Sequence, residues 1–286
     1  MSTQFPAGAT PTEQPPVCPR HPDRVSYVRC QRCGRPACPE CQRPAAVGVQ
    51  CVDCVREAAR ATPTVRTALG GRVRGGRPVV TLTIIGLCAA SFLLQRALPG
   101  WTGQWAFWPA AGEVQPWRFV TAAFLHSPRG FLHILFNMYA LWLVGPYLEQ
   151  TLGRWRYVAL YLLAAVGGQV GVTLLAAPTL PGGWLTPVVG ASGAVFGLFG
   201  AVLVVLRRLG RDARQILVFL ALNSVIGFLV PGIAWQAHLG GLLTGLALGA
   251  AYAYAPRPRR EVLGVTATVG AVVVLVVLAA AKYALV

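Results

Sequence analysis

The sequence predicts an all-α polytopic membrane protein with a small cysteine-rich module ahead of its first membrane segment. Three observations carry that prediction. More than half of the 286 residues are apolar and the mean hydropathy is positive, too greasy for a soluble domain of this length. The apolar residues gather into seven runs, several near the roughly 20 residues a helix needs to cross a bilayer. Seven of the eight cysteines fall between Cys18 and Cys54, before the first of these runs. The net charge of +16 raises nucleic acid as a partner, but the arginines form no single patch. About half precede residue 78 and most others sit in short loops between apolar runs. That distribution reads as membrane topology and disfavours nucleic acid.

Residues 1–16 are rich in Pro, Thr, Gln and Ala without periodicity and are expected to be disordered. No signal peptide is expected, because the first 75 residues hold no apolar run. Residues 17–58 carry four knuckles, Cys18-x-x-His21, Cys30-x-x-Cys33, Cys38-x-x-Cys41 and Cys51-x-x-Cys54. A two-residue gap lets both side chains turn toward one ion, and thiolate and imidazole are ligands zinc favours. Eight ligands suffice for two tetrahedral zinc ions. Some 40 residues with few large apolar side chains build no stable core alone, so metal supplies the folding energy. A disulfide-bonded module is the weaker alternative. The order of the knuckles resembles a B-box-type zinc finger. That resemblance implies a cross-braced pairing, with Cys18, His21, Cys38 and Cys41 on one zinc and Cys30, Cys33, Cys51 and Cys54 on the other. The last pair departs from B-box members that use histidines there. Residues 59–77 form a basic linker with Arg66, Arg72, Arg74 and Arg77 just before the first apolar run, which marks a cytoplasmic flank.

The seven segments are expected at 79–97, 131–149, 155–176, 190–207, 214–231, 235–255 and 263–284. With the N-terminus inside, inside loops hold Arg154 and Arg156, then Arg207, Arg208, Arg211 and Arg214, then Arg257, Arg259 and Arg260. The outside loops 177–189 and 232–234 carry no charge. This asymmetry sets a cytoplasmic N-terminus and an outside C-terminus in the cell membrane. It also puts the cysteines in a reducing compartment, which favours zinc over disulfides. Only loop 98–130 breaks the pattern, with Arg118 and Arg129. Its aromatic side chains, Trp101, Trp105, Phe107, Trp108, Trp117, Phe119 and Phe124, place it in the membrane interface.

Polar groups within a membrane are costly and functional by default. Here they are His133, Asn137, Gln169, Ser192, Asn223, Ser224, Gln236 and His238. Ser192 opens an apolar helix within Gly190-Ala191-Ser192-Gly193, and His238 starts another in Ala237-His238-Leu239-Gly240-Gly241. A serine hydroxyl and a histidine of ordinary pKa about 6.5 suit a nucleophile and its general base. His133 and Asn137 are four apart, hence on one helix face, and are candidate oxyanion donors together with the Ser192 amide. Acidic residues are missing from the helical stretches near His238, so a dyad is implied. Gly193 and Gly197, and Gly241, Gly245 and Gly249, are spaced by four, which lets two backbones approach closely. His126 is expected to be interfacial, and Cys88 a small apolar packer.

Gly190-x-Ser192-Gly193, His238 with Gly240 and Gly241, His133-x3-Asn137, Trp117-Arg118 and Glu149…Gly153-Arg154-Trp155 together resemble the rhomboid intramembrane serine proteases. The resemblance implies a six-helix core over 78–255, extended by a seventh transmembrane helix over 256–286. It implies Ser192 as nucleophile, His238 as general base, and His133, Asn137 and the Ser192 amide as oxyanion hole. The Trp117-Arg118 loop would be a membrane-embedded structural loop, and the fifth segment with 232–234 a mobile gate and cap. The substrates implied are single-pass membrane proteins cut near or within their transmembrane segment, with no cofactor for catalysis. The zinc module is read as a site for a cytoplasmic protein partner or for regulation. The alternative is a catalytically silent member of the fold that binds membrane clients; a transporter is disfavoured because intramembrane charges are few and no inverted repeat is visible.

Overall fold

Thiols fill the interior of the N-terminal unit. The computed structural model describes residues 14–61, 67–71, 77–178 and 183–286, which fall into two units, Met1–Thr64 and Val65–Val286. Most of the expected disorder at 1–16, and Arg66, Arg72 and Arg74 of the linker, lie outside the described residues. In the first unit, strands β1 (Val17–Cys18) and β2 (His21–Val25) pair antiparallel with Cys18 opposite His21. Strands β3 (Gln42–Pro44) and β4 (Val49–Cys51) form a second hairpin, and helix α1 (Val52–Ala61) follows directly. The buried apolar set is six cysteines with only Ala37 and Val52. Gly34, at φ +71°, lets the chain turn back after Cys33, and its N–H bonds the Cys30 carbonyl at 2.8 Å.

The second unit is helical. Among the described residues its long helices are α2 (Val79–Ala97), then α6 (Leu132–Leu152), α7 (Arg154–Leu175), α8 (Ser192–Arg208), α9 (Arg214–Leu229), α10 (Trp235–Tyr254) and α11 (Arg260–Ala284). Three short helices, α3 (Trp101–Trp105), α4 (Pro109–Val114) and α5 (Arg118–Thr121), fold the loop between α2 and α6. The expected segments thus recur with shifted ends. Helix α6 runs on to Leu152, where Gly153 at φ +89° stops it, and α11 starts at Arg260 after a short turn through two prolines.

Among the described residues, only α2, α7 and the stretch Arg257–Ala284 are both long and apolar enough to span a bilayer by composition alone. Helices α6 and α10 have the length, but His133, Asn137 and Glu149 dilute one and four glycines the other. Those diluted helices lie at the centre. Helix α10 packs most extensively on α8 and α7. A Cβ on Gly241 would overlap the Gly193 main chain, and one on Gly245 the Gly197 main chain. On the other side Gly240 meets Gly167 and Gly171. These contacts are backbone against backbone, the close approach that small residues permit.

Two peripheral helices are pinned by polar groups. The Glu149 carboxylate, buried on α6, accepts the Val80 and Thr81 amides at 3.1 and 3.0 Å and the Thr81 hydroxyl at 3.0 Å. It caps α2, whose own N-terminal residue Pro78 offers no capping side chain. Buried Arg156 of α7 pairs with Glu261 of α11 at 3.1 Å, and at the far end of α11 the Tyr283 hydroxyl donates to Pro109 O at 2.8 Å.

Candidate active site

Three helix N-termini meet at one end of the bundle: Ser192 is the first residue of α8, His133 the second of α6, and His238 the fourth of α10. The glycine contacts between α8 and α10 bring the first and last of these together. His238 Nε2 and Ser192 Oγ are 2.9 Å apart. The His238 ring lies flat on Phe196, centroids 4.2 Å apart and planes 10° from parallel. Phe196 is one turn after Ser192, so the same helix face supplies the hydroxyl and the shelf for its partner. The other ring nitrogen of His238 is buried with no hydrogen-bond partner among the described residues, and faces Gly227 of α9. A hydroxyl in this contact can pass its proton to the imidazole as it attacks an electrophile.

The segment before Ser192 is held by the α3–α5 loop. Phe107 and Val188 exchange two main-chain bonds, N–H of Phe107 to Val188 O at 3.1 Å and the reverse at 2.6 Å. The Gly190 amide donates to Ala122 O at 3.0 Å. Gly190 has φ +134°, and a Cβ there would sit 2.9 Å from His133 Nε2, so glycine is required both by backbone and by space. The loop itself is organised by Arg118, buried and donating to the carbonyls of Gly103 and Ala106 at 2.8 and 2.5 Å and to Gln115 Oε1 at 2.6 Å, with Trp108 stacked 4.5 Å away.

His133 accepts the Ser127 amide on Nδ1 at 3.1 Å. In the neutral ring this leaves the proton on Nε2, the edge turned to Gly190 and Ser192. Asn137 is buried and spends one amide proton on His133 O at 2.8 Å, keeping the second. The Ser192 amide, in the first turn of α8, has no carbonyl to meet within its helix.

His126 is fully buried within the protein, and its ring meets His133 edge-on at 5.3 Å. Gln95 of α2 causes this, donating to His126 O at 2.7 Å and accepting its amide at 2.9 Å. Cys88 is fully buried in the apolar core. Gln169 is buried on α7, and Asn223 returns its amide to Phe219 O one turn back. Neither bonds to Ser192 or His238. Sequence reasoning missed Phe196, though its i+4 spacing from Ser192 was a usable signal, and missed Gly227, which offered none.

In the N-terminal unit the eight knuckle residues gather into two groups that could hold metal ions, Cys18, His21, Cys38 and Cys41, and Cys30, Cys33, Cys51 and Cys54, with donor atoms inside each group within 4.8 Å of one another. All the cysteines are free thiols. His21 Nδ1 lies 3.2 Å from Cys38 Sγ and 3.4 Å from Cys41 Sγ, and Cys33 and Cys51 sulfurs are 3.8 Å apart. A tetrahedral ion with metal–sulfur bonds near 2.3 Å sets edges of about 3.8 Å, so the groups fit. Glu40 stands 3.9 Å from His21 Nε2, where a carboxylate orients a ligand imidazole. Hydrogen bonding at the Cys38 backbone pulls the Cys18 thiol down to about 6, while burial pushes Cys41 up to about 11 and Cys54 to about 12.

The family model for the rhomboid domain matches residues 113–255, half of the chain. The chain is 36% identical over 143 residues to the rhomboid protease GluP of Bacillus subtilis, covering 47% of this chain and 26% of that protein. It is 36% identical over 144 residues to RHOMBOID-like protein 5 of Arabidopsis thaliana, covering 48% and 44%. It is 30% identical over 177 residues to the rhomboid protease GlpG of Yersinia enterocolitica, covering 58% and 60%. The matched region contains every residue of the cluster around Ser192, and on the family match the chain belongs to the rhomboid family.

Proposed function

We propose that this protein is an intramembrane serine endopeptidase, acting through Ser192 as nucleophile and His238 as general base. The observation that carries the reading is the 2.9 Å contact between Ser192 Oγ and His238 Nε2 at the meeting of three helix N-termini. Ser192 Oγ attacks the scissile carbonyl carbon while its proton moves to His238 Nε2. The imidazolium then gives that proton to the leaving amine, and the chain carries an acyl ester on Ser192. Water, deprotonated by the same nitrogen, attacks the ester, and the proton returns to Ser192 as the acid leaves. The developing oxyanion is met by the Ser192 amide, the spare Asn137 amide proton and the Nε2 proton of His133. Donors fixed in place by Ser127 and by the α6 backbone need no reorganisation when the charge appears. Phe196 beneath the ring and Gly227 at its far edge hold His238 without a carboxylate, which supports a dyad.

The substrates are single-pass membrane proteins, cut near or within the transmembrane segment. The arginine-rich loops support a cytoplasmic N-terminus and an outward-facing site in the cell membrane. Two zinc ions, one on Cys18, His21, Cys38 and Cys41 and one on Cys30, Cys33, Cys51 and Cys54, hold the N-terminal unit together. That unit serves contact with a cytoplasmic protein. Some of its arginines are engaged by acidic residues, Arg24 with Glu40 at 2.6 Å and Arg20 with Asp53 at 3.2 Å, which weighs against a nucleic-acid surface. The test is cleavage of a single-pass substrate in liposomes by the native chain, Ser192→Ala and His238→Ala. Cleavage by the native chain alone is expected. Cleavage by Ser192→Ala would overturn the assignment of the nucleophile. A serine-directed fluorophosphonate probe separates a wrong substrate, where Ser192 is labelled, from an inert site, where it is not.

A further inference from the structure

The end of the helical unit opposite Ser192 carries a cavity. Helix α8 runs from Ser192 to Arg208 and α10 from Trp235 to Tyr254, so their last residues lie a full helix length from the dyad. Between these ends, the start of α11 and the segment 67–71 is a cavity of about 520 Å³, lined by Leu69, Arg208, Tyr254, Ala255, Arg257 and Arg260 among others.

Its wall is strongly cationic. Arg208 lies over the Tyr254 ring at 5.4 Å, which fixes its guanidinium at the rim. Arg260 has a buried Nε with no hydrogen-bond partner among the described residues. Arg156 sits directly behind, donating to Arg260 O at 3.4 Å. Among the described residues, the carboxylate paired with this cluster is Glu261, 3.1 Å from Arg156. Four guanidiniums against one carboxylate leave an excess of positive charge around an open volume, and guanidinium is the group that recognises a phosphate in fork geometry.

The rest of the lining is apolar. Leu69 is 3% exposed and Ala255 7%. Leu69 is held in place because Thr67 Oγ1 and the Gly71 amide both donate to Thr151 O, at 2.7 and 3.2 Å. Beside the mouth, α11 turns Val262, Leu263 and Val265 outward as an exposed aliphatic surface. Cations at a helix end, an apolar floor and an adjoining aliphatic face match a phosphate that carries acyl chains better than one free in water.

We propose that this cavity binds the phosphate headgroup of an anionic phospholipid, with Arg208, Arg257 and Arg260 as its cationic wall and Leu69 as its floor. The bound headgroup would tie the 67–71 segment to the α10–α11 turn. The site faces the leaflet on the side of the arginine-rich loops, cytoplasmic on the topology proposed above. Its test does not depend on that topology or on proteolysis.

The full-length chain carrying Ser192→Ala is placed in phosphatidylcholine nanodiscs doped with a small fraction of phosphatidylglycerol, extracted, and read by native mass spectrometry. One retained phosphatidylglycerol per chain is expected. The triple variant Arg208→Ala, Arg257→Ala, Arg260→Ala should retain it about 100-fold more weakly, at about five-fold per arginine. A matched triple variant, Arg207→Ala, Arg211→Ala, Arg214→Ala, removes the same charge from the same side without touching the cavity and should keep the lipid. Equal loss in both triple variants would mean diffuse attraction and overturn the site. So would equal retention of phosphatidylcholine. Displacement of the lipid by millimolar glycerol 3-phosphate would reassign the cavity to a soluble phosphate and overturn the lipid. Should the triple variant not fold, Arg257→Ala alone, at an exposed position, must still weaken retention several-fold, and no change there overturns the proposal.

Discussion

The two units of this protein face opposite shortages. The N-terminal unit has too few apolar side chains to make an inside, and its interior is six thiols with an alanine and a valine. The helical unit has so many that apolarity no longer distinguishes inside from outside. Val272, Val273 and Val274 of α11 are as aliphatic as anything in the core, yet each is exposed, and lipid accepts them as readily as protein would. The stretch that contains α11 is the most apolar of the spanning candidates, with mean hydropathy 2.7, and the least buried, at 11%. Helix α10, which carries His238, fails the same apolarity test. What marks the interior there is small size and polarity. One unit therefore gets its specificity from ligand chemistry and the other from how closely main chains can approach.

Removing metal gives the largest separation between the two. Structural zinc supplies about 10–16 kcal/mol of apparent binding energy in small fingers. A strong chelator should unfold the N-terminal unit of the full-length chain and release about two zinc ions, as measured by metal analysis and protease sensitivity before residue 62. The melting of the helical unit should not move. A helical unit that melts with the module would break the comparison.

In the helical unit, polarity is the first mark of the interior. Asn137→Ala should lower turnover by about 10²–10³, if its spare proton meets the oxyanion as proposed. The loss should fall on kcat in a reconstituted assay, and an unchanged kcat removes Asn137 from that role. Small size is the second mark, and two glycines test it with one chemical change. A Cβ at Gly245 collides with the Gly197 main chain, which cannot move aside, whereas Gly270 of α11 has nothing within 4 Å. Gly245→Ala should cost about 1–3 kcal/mol of stability by overpacking. Between these, Tyr283→Phe deletes the 2.8 Å bond to Pro109 and should cost about 1 kcal/mol, read as thermal stability in detergent. Gly270→Ala should stay within about 0.5 kcal/mol of the native chain. Equal effects at Gly245 and Gly270 would mean that side chains, not main chains, set the spacing of the core.

Much of the candidate site's grouping could be read from the sequence, for a physical reason. Ser192, His238, His133 and Asn137 are polar groups in apolar surroundings, and the membrane leaves few innocent explanations for them. The cysteine knuckles are legible because ligand spacing is local. What escaped depends on which faces meet. The buried position of His126 follows from Gln95, 31 residues away. The Nε2 proton of His133 follows from the Ser127 amide, which no pattern announces. Gly227 is one glycine among many until α9 brings it to the edge of His238. The helix ends moved by a few residues because Gly153 and the prolines around Arg257 stop or start the backbone regardless of hydropathy.

Glu149 follows by 68 residues the helix end it caps at Thr81. A ribosome adding about 5–20 residues per second delivers that carboxylate roughly 3–14 s after Thr81 has been made. Throughout that interval the leading amides of α2 lack the acceptor that caps them in the folded unit. The start of α2 is thus completed by a helix made later, and its cap forms only once α6 is in place.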